Sequence, residues 1–127
     1  MISFSNFGSS RSTESDRVAE AVQIARTRWP DLEIDGEMQA DMALNPSTRA
    51  DRFPFSSIEG EANVLVFPSL DAAHIAVRLM GSIGEASVVG PILMGMQSPV
   101  NYIQPHASVE DIVNLSAITV LQAQKEY

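Results

Sequence analysis

One stretch restricts the fold more than any other. Asn63-Val64-Leu65-Val66-Phe67 is a continuous apolar run closed by Pro68. A run of that kind marks a strand covered on both faces. Ser69 follows as a hydroxyl able to cap a helix, which the pattern carries through Met80. Ala86–Val89 is a second short run containing β-branched residues, and Gly90-Pro91 breaks it. Strand, helix and strand in that order make a βαβ unit, with parallel strands and a right-handed crossover. The expected class is therefore α/β, with a mostly parallel sheet flanked by helices.

Met1–Phe4 fits a short strand, and residues 5–13 are small and polar, as a loop would be. Thr13 with Asp16 resembles a capping box, and Val18, Ala21, Val22, Ala25 and Trp29 give the helix that follows one apolar face, up to Pro30. Asp31, Glu33, Asp35 and Glu37 alternate with Leu32, Ile34, Gly36 and Met38. Period two predicts a strand with a solvated acidic face and a buried apolar one. A short helix is expected through Ala43. Residues 45–62 carry Asn45-Pro46, Pro54 and Gly60 and read as a long surface loop with one helical turn at most. Ser108 opens a closing helix with Val109, Ile112, Val113, Ala117, Val120 and Leu121 on its core side. In parallel sheets ligands bind beyond the carboxyl ends of the strands, which directs attention to residues 5–13, 68–69 and 90–106.

Composition removes several classes. Acidic residues number 16 against 8 basic ones, a net charge of -8. The basic residues are dispersed, so no nucleic-acid partner is expected, because neutralising phosphates needs clustered Lys and Arg. No apolar run approaches the roughly 18 residues of a membrane span, and no membrane partner is expected. There is no Cys, so disulfides and thiolate chemistry are excluded. No secretory leader is apparent at the amino end, and a cytoplasmic protein is the default expectation.

Several segments in order carry a resemblance. They are Ser3-Phe4-Ser5-Asn6-Phe7-Gly8-Ser9, residues Pro30–Asp41, residues Ala62–Pro68, Gly90-Pro91-Ile92-Leu93-Met94-Gly95, Pro99-Val100-Asn101 and Ser108-Val109-Glu110-Asp111-Ile112. The series resembles the carboxyl-terminal part of the phosphate acetyl/butyryltransferase family. It is closer still to the phosphotransacetylase-like domain fused behind bacterial NADP-dependent malic enzymes, a branch favoured by Asp35-Gly36-Glu37-Met38-Gln39-Ala40-Asp41 and Ala43-Leu44-Asn45-Pro46. The resemblance implies part of an isocitrate/isopropylmalate dehydrogenase-like module of two lobes. Residues 1–127 would be a single domain, the carboxyl-terminal fragment of that module, and helix 108–127 would pack on the other lobe.

The resemblance also implies a function. Transferases of the family carry a Ser-Arg pair shortly after Pro-Val-Asn, followed by an Asp. The Arg can stabilise charge on the acyl phosphate and the Asp can help deprotonate the coenzyme A thiol. Here the pair positions hold Gln104 and Pro105, and only Asp111 remains. The expectation is no catalytic residue in this chain. It would be a regulatory and oligomerisation domain that senses acetyl-CoA or a related CoA ester through Asn101, Gln104, Ser108 and Asp111. The alternative is a phosphate acetyltransferase, and a third option is a dimerisation module without ligand. No cofactor is expected in these residues, which lack a Gly-x-Gly-x-x-Gly fingerprint. NADP and a divalent metal, Mg or Mn, are implied for the parent's catalytic domain. A homo-oligomer, dimer or larger, is expected, with the apolar Val88–Met96 stretch and the closing helix as its contact surfaces.

Some residues have a local reading of their own. Gly8, Ser9 and Arg11 precede a helix and could hold an anion on free amides, although a serine-rich turn is the plainer alternative. Ser108-x-x-Asp111 is also a capping-box pattern. The acidic residues 31–37 with Asp41 admit a Mg²⁺ site, but a solvated face is the commoner explanation and no metal site is assigned. His74 and His106 receive no role.

Overall fold

The computed structural model describes residues 1–84 and 86–124. Its elements are helices: α1 (Thr13–Arg28), α2 (Ala40–Leu44), α3 (Pro46–Arg52), α4 (Leu70–Ile83) and α5 (Val109–Gln124). The expected parallel sheet is not formed. Among the described residues the β pairing is one isolated parallel bridge, Ile2 to Met38. Three extended segments do meet there. The Ile2 N–H donates to the Val66 carbonyl at 2.8 Å, the Ser3 N–H to Met38 at 2.9 Å and the Met38 N–H to Met1 at 3.2 Å.

The register stops for local reasons. Gly36 has φ +134°, outside the range a strand residue adopts, and a Cβ there would lie 2.5 Å from the Met1 carbonyl oxygen. On the other segment the chain turns at Phe7 and Gly8. The run at residues 63–67 is extended but covered on one side only. Leu65 and Phe67 pack on the core, whereas Val64 is 71% exposed. Residues 86–89 are not a strand either, so the βαβ reading fails as a whole. Its helix does form and runs on to Ile83, with the Ser69 hydroxyl accepting from the Ala72 N–H at 3.2 Å.

The chain divides into two compact units, Met1–Ala76 and Val77–Tyr127. The first is built around Ile2, Met38, Met42 and Ala43, with Phe7, Phe53, Leu65 and Phe67 packed against them. Helix α1 contributes Val18 and Val22. Its cap is Ser12, one residue before the expected Thr13, and the reciprocal partner is Ser15. The stretch expected as a long loop contains α3, started by Asn45 as cap and Pro46 in the first turn. Arg49 on α3 is buried. Its guanidinium donates to the carbonyls of Met42 at 2.9 Å, Ala43 at 3.0 Å, Ile58 at 3.1 Å and Gly60. It therefore closes the last turn of α2 and ties residues 58–60 to it.

In the second unit α5 starts as expected at Ser108, but of its apolar residues Leu115 alone is buried. Val109, Ile112, Val113, Val120 and Leu121 are exposed. The expected residues 125–127 of that helix lie outside the described residues. Asn101 is the polar centre of this unit. Its Oδ1 accepts from the Leu93 N–H at 2.8 Å, and its Nδ2 donates to the Thr119 hydroxyl and Gln122 Oε1, both at 2.9 Å.

Candidate functional site

The residues expected to face a CoA ester and those expected to hold an anion fall in different units. Asn101, Gln104, Ser108 and Asp111 belong to the second unit, on the loop before α5 and its first turn. Ser108 and Asp111 cap the helix together. The Asp111 N–H donates to the Ser108 hydroxyl at 3.1 Å. Asp111 Oδ2 accepts from the Ser108 hydroxyl at 2.7 Å and from the Ser108 N–H at 2.8 Å. The Ser108 hydroxyl, then its backbone N–H, hold the Asp111 carboxyl below the usual aspartate range. A carboxylate so held is a weaker base than an ordinary aspartate. Gln104 is exposed, and its carbonyl accepts from the Ala107 N–H at 3.0 Å, closing a turn that includes Pro105 and His106. Asn101 spends its side chain on Leu93, Thr119 and Gln122 and so fixes where that loop leaves α5.

Gly8, Ser9 and Arg11 belong to the first unit and are exposed. The Gly8 N–H donates to Glu37 Oε1 at 2.6 Å, and the Ser9 hydroxyl accepts from the Asn6 N–H at 2.9 Å. Asn6 and Gln39 lock the same loop from its other side. Asn6 Nδ2 donates to Gln39 Oε1 at 2.7 Å, and the Gln39 N–H returns to Asn6 Oδ1 at 2.8 Å.

The acidic stretch departs from its expected role. Asp31 and Glu33 are exposed, but Asp35 is 2% exposed and Glu37 3%. Asp35 is a hub. Oδ1 accepts from Arg26 at 2.6 Å and from the Gly36 N–H at 2.9 Å. Oδ2 accepts from the Ser56 hydroxyl at 2.7 Å and the Ser57 N–H at 2.8 Å. Burial pushes its carboxyl up, and the hydrogen bonds from Ser56, Gly36 and Ser57 with the Arg26 charge outweigh it, leaving the carboxyl below its ordinary range. The serines that serve these carboxylates stand far from them in sequence, at positions 5, 56 and 57. No local pattern in the sequence links Ser5, Ser56 and Ser57 to Asp35 and Glu37. Among the described residues no three His, Asp or Glu side chains converge as a metal centre needs. No helix among them is long and apolar enough to cross a membrane.

The family description Phosphate acetyl/butaryl transferase matches residues 1–120. This chain belongs to that family. Within it, the chain is 46% identical over 123 residues to the phosphate acetyltransferase of Bacillus subtilis (strain 168), covering 97% of this chain and 38% of the relative. It is 46% identical over 127 residues to the NADP-dependent malic enzyme of Escherichia coli (strain K12), covering 99% of this chain and 17% of that enzyme. The matched region of the malic enzymes is their carboxyl-terminal part. Among solved structures, EutD phosphotransacetylase from Staphylococcus aureus superposes with a TM-score of 0.89 at 41% identity, over 97% of this chain and 38% of that one. The chain thus spans well under half the length of the family members it matches.

Proposed function

We propose that these residues form a non-catalytic regulatory and assembly domain of an NADP-dependent malic enzyme, and that the domain senses acetyl-CoA or a related CoA ester. The observation that carries this reading is the pair Gln104-Pro105 at the positions where the resemblance puts the transferase Ser and Arg. Gln brings no charge to an acyl phosphate, and Pro has neither a charge nor an N–H to donate. The engagement of Asp111 by Ser108 supports it, since a lowered carboxyl is poorly suited to take a thiol proton. The loop next to these residues is held in place, with Asn101 tying Leu93 to Gln122 of α5. The reading assigns NADP and the Mg²⁺ or Mn²⁺ ion to a separate catalytic domain. The transferase reading draws on the equal 46% identity to a phosphate acetyltransferase.

The test is titration of the full-length protein with acetyl-CoA, by calorimetry and by its effect on malate oxidation. Binding that weakens in Asp111→Ala, with malate oxidation changed by the ligand, is the expected result. A protein that neither binds acetyl-CoA nor changes its activity with it contradicts the regulatory reading.

Assembly belongs to the same proposal. Helix α4 is apolar on most sides, and among its described residues none is buried; Ile83 is 77% exposed. Such a helix is covered in an assembled protein. The full-length protein is expected to sediment as a dimer or larger species, and a monomer at micromolar concentration removes this part of the proposal.

A further inference from the structure

Loop Ser5–Ser10 turns through two left-handed positions, Phe7 at φ +48° and Gly8 at φ +84°. Amides in such a turn form a concavity suited to an anion. The place is filled by Glu37. Its buried side chain presents Oε1 to the Ser5 hydroxyl at 2.8 Å and to the Gly8 N–H at 2.6 Å. The Ser5 hydroxyl accepts in turn from the Ser10 N–H at 3.1 Å. The Phe7 N–H reaches the Glu37 carbonyl at 2.8 Å, the Asn6 N–H the Ser9 hydroxyl at 2.9 Å, and the Ser9 N–H the Asn6 carbonyl at 3.0 Å. The Ser5 N–H donates to the Ser3 hydroxyl at 3.3 Å. Every amide from Ser5 to Ser10 therefore has a partner inside the chain.

We propose that this loop is a carboxylate receptor whose resident ligand is the chain's own Glu37. Glu37 is then a positioning residue: it fixes the backbone of residues 5–10 and, with it, the left-handed Phe7. A bulky side chain resists that conformation and must be held in it. Phe7 is held at its N–H by the backbone carbonyl of Glu37, which any residue at 37 keeps, and at its ring by Phe53 and Phe55, each with a centroid separation of 5.0 Å. At Oε1 the Gly8 contact is shorter than a usual N–H···O bond and the Ser5 contact has the usual O–H···O length. An external phosphate would have to displace Glu37 to use the Gly8 amide. The proposal stands whether or not the domain binds acetyl-CoA.

Hydrogen–deuterium exchange over residues 5–10 of the full-length protein tests it. In Glu37→Ala the donors of Ser5 and Gly8 lose their acceptor. Exchange at the Gly8 amide should rise about tenfold, the loss of one hydrogen bond. Formate should restore protection, and chloride at equal ionic strength should not. Unchanged exchange, or equal restoration by chloride, overturns the proposal. If Glu37→Ala yields no folded protein, Glu37→Gln decides, since it keeps the shape and an acceptor oxygen but not the charge. Its loop should exchange several-fold faster while the rest of the protein is unaltered, and exchange at the original rate overturns the proposal.

Discussion

The Asp111 carboxylate closes onto Ser108, taking its hydroxyl at 2.7 Å and its N–H at 2.8 Å, while the Asp111 N–H returns to that hydroxyl at 3.1 Å. The two side chains satisfy donors at the start of α5 reciprocally. Replacing Ser108 by Ala should cost about 1 kcal/mol, as loss of a hydroxyl cap does. It should also let the Asp111 carboxyl rise toward its ordinary value, which carbon-detected NMR titration reads. An Asp111 titration identical in the two proteins would show that the cap does not set its acidity.

Asp35 makes a pH prediction. Its carboxyl lies below the ordinary aspartate value of 3.8 when folded. Its contribution to stability is therefore complete above that value and is lost as the pH falls through the lower folded one. Asp35→Asn should remove this acid-side dependence. At neutral pH it should also destabilise by roughly 2–4 kcal/mol, because Arg26 loses its carboxylate and the donors of Ser56 and Ser57 lose an anionic acceptor. Arg26 is partly exposed, which keeps the figure below that of a fully buried pair. Urea unfolding at pH 7 and at pH 3 measures both effects.

Arg49 holds four carbonyls with one buried guanidinium. Arg49→Lys offers a compact ammonium in place of a planar fork and cannot serve all four. A loss of roughly 2–4 kcal/mol is expected from the carbonyls left without donors. Thermal unfolding with a shift of under a degree would show that water replaces the guanidinium there.

Helix starts were legible in the sequence because a cap is a local device. Ser69 and Ser108 act within three or four residues of where they stand. The Asn45-Pro46 step does the same for α3, but in the sequence it reads as part of a long loop. Even the misplaced start of α1 was wrong by one hydroxyl, Ser12 for Thr13. The sheet was not legible, because an apolar run names a strand only if a neighbour pairs along it. Here pairing lasts for Ile2 and Met38 and ends at Gly36 and Phe7. The alternation at residues 31–37 did not carry over into two faces: Asp31 and Glu33 are exposed, whereas Asp35 and Glu37 are buried next to Met38. Arg26, Ser56, Ser57 and Ser5 decided that by supplying donors from distant positions, and so drew Asp35 and Glu37 inside. At the candidate site, the Ser108–Asp111 contact was visible as spacing. The engagement of Asn101 by Thr119 and Gln122 was not, since no local pattern links those positions.

We propose that acyl transfer is lost with the Gln104-Pro105 pair. Its most direct test is acetyl-CoA formation from acetyl phosphate and coenzyme A by the full-length protein. The expected rate is no higher than that of buffer, with no gain or loss in Asp111→Ala. Turnover above buffer that falls in Asp111→Ala would contradict it, and would make this chain part of a working phosphate acetyltransferase.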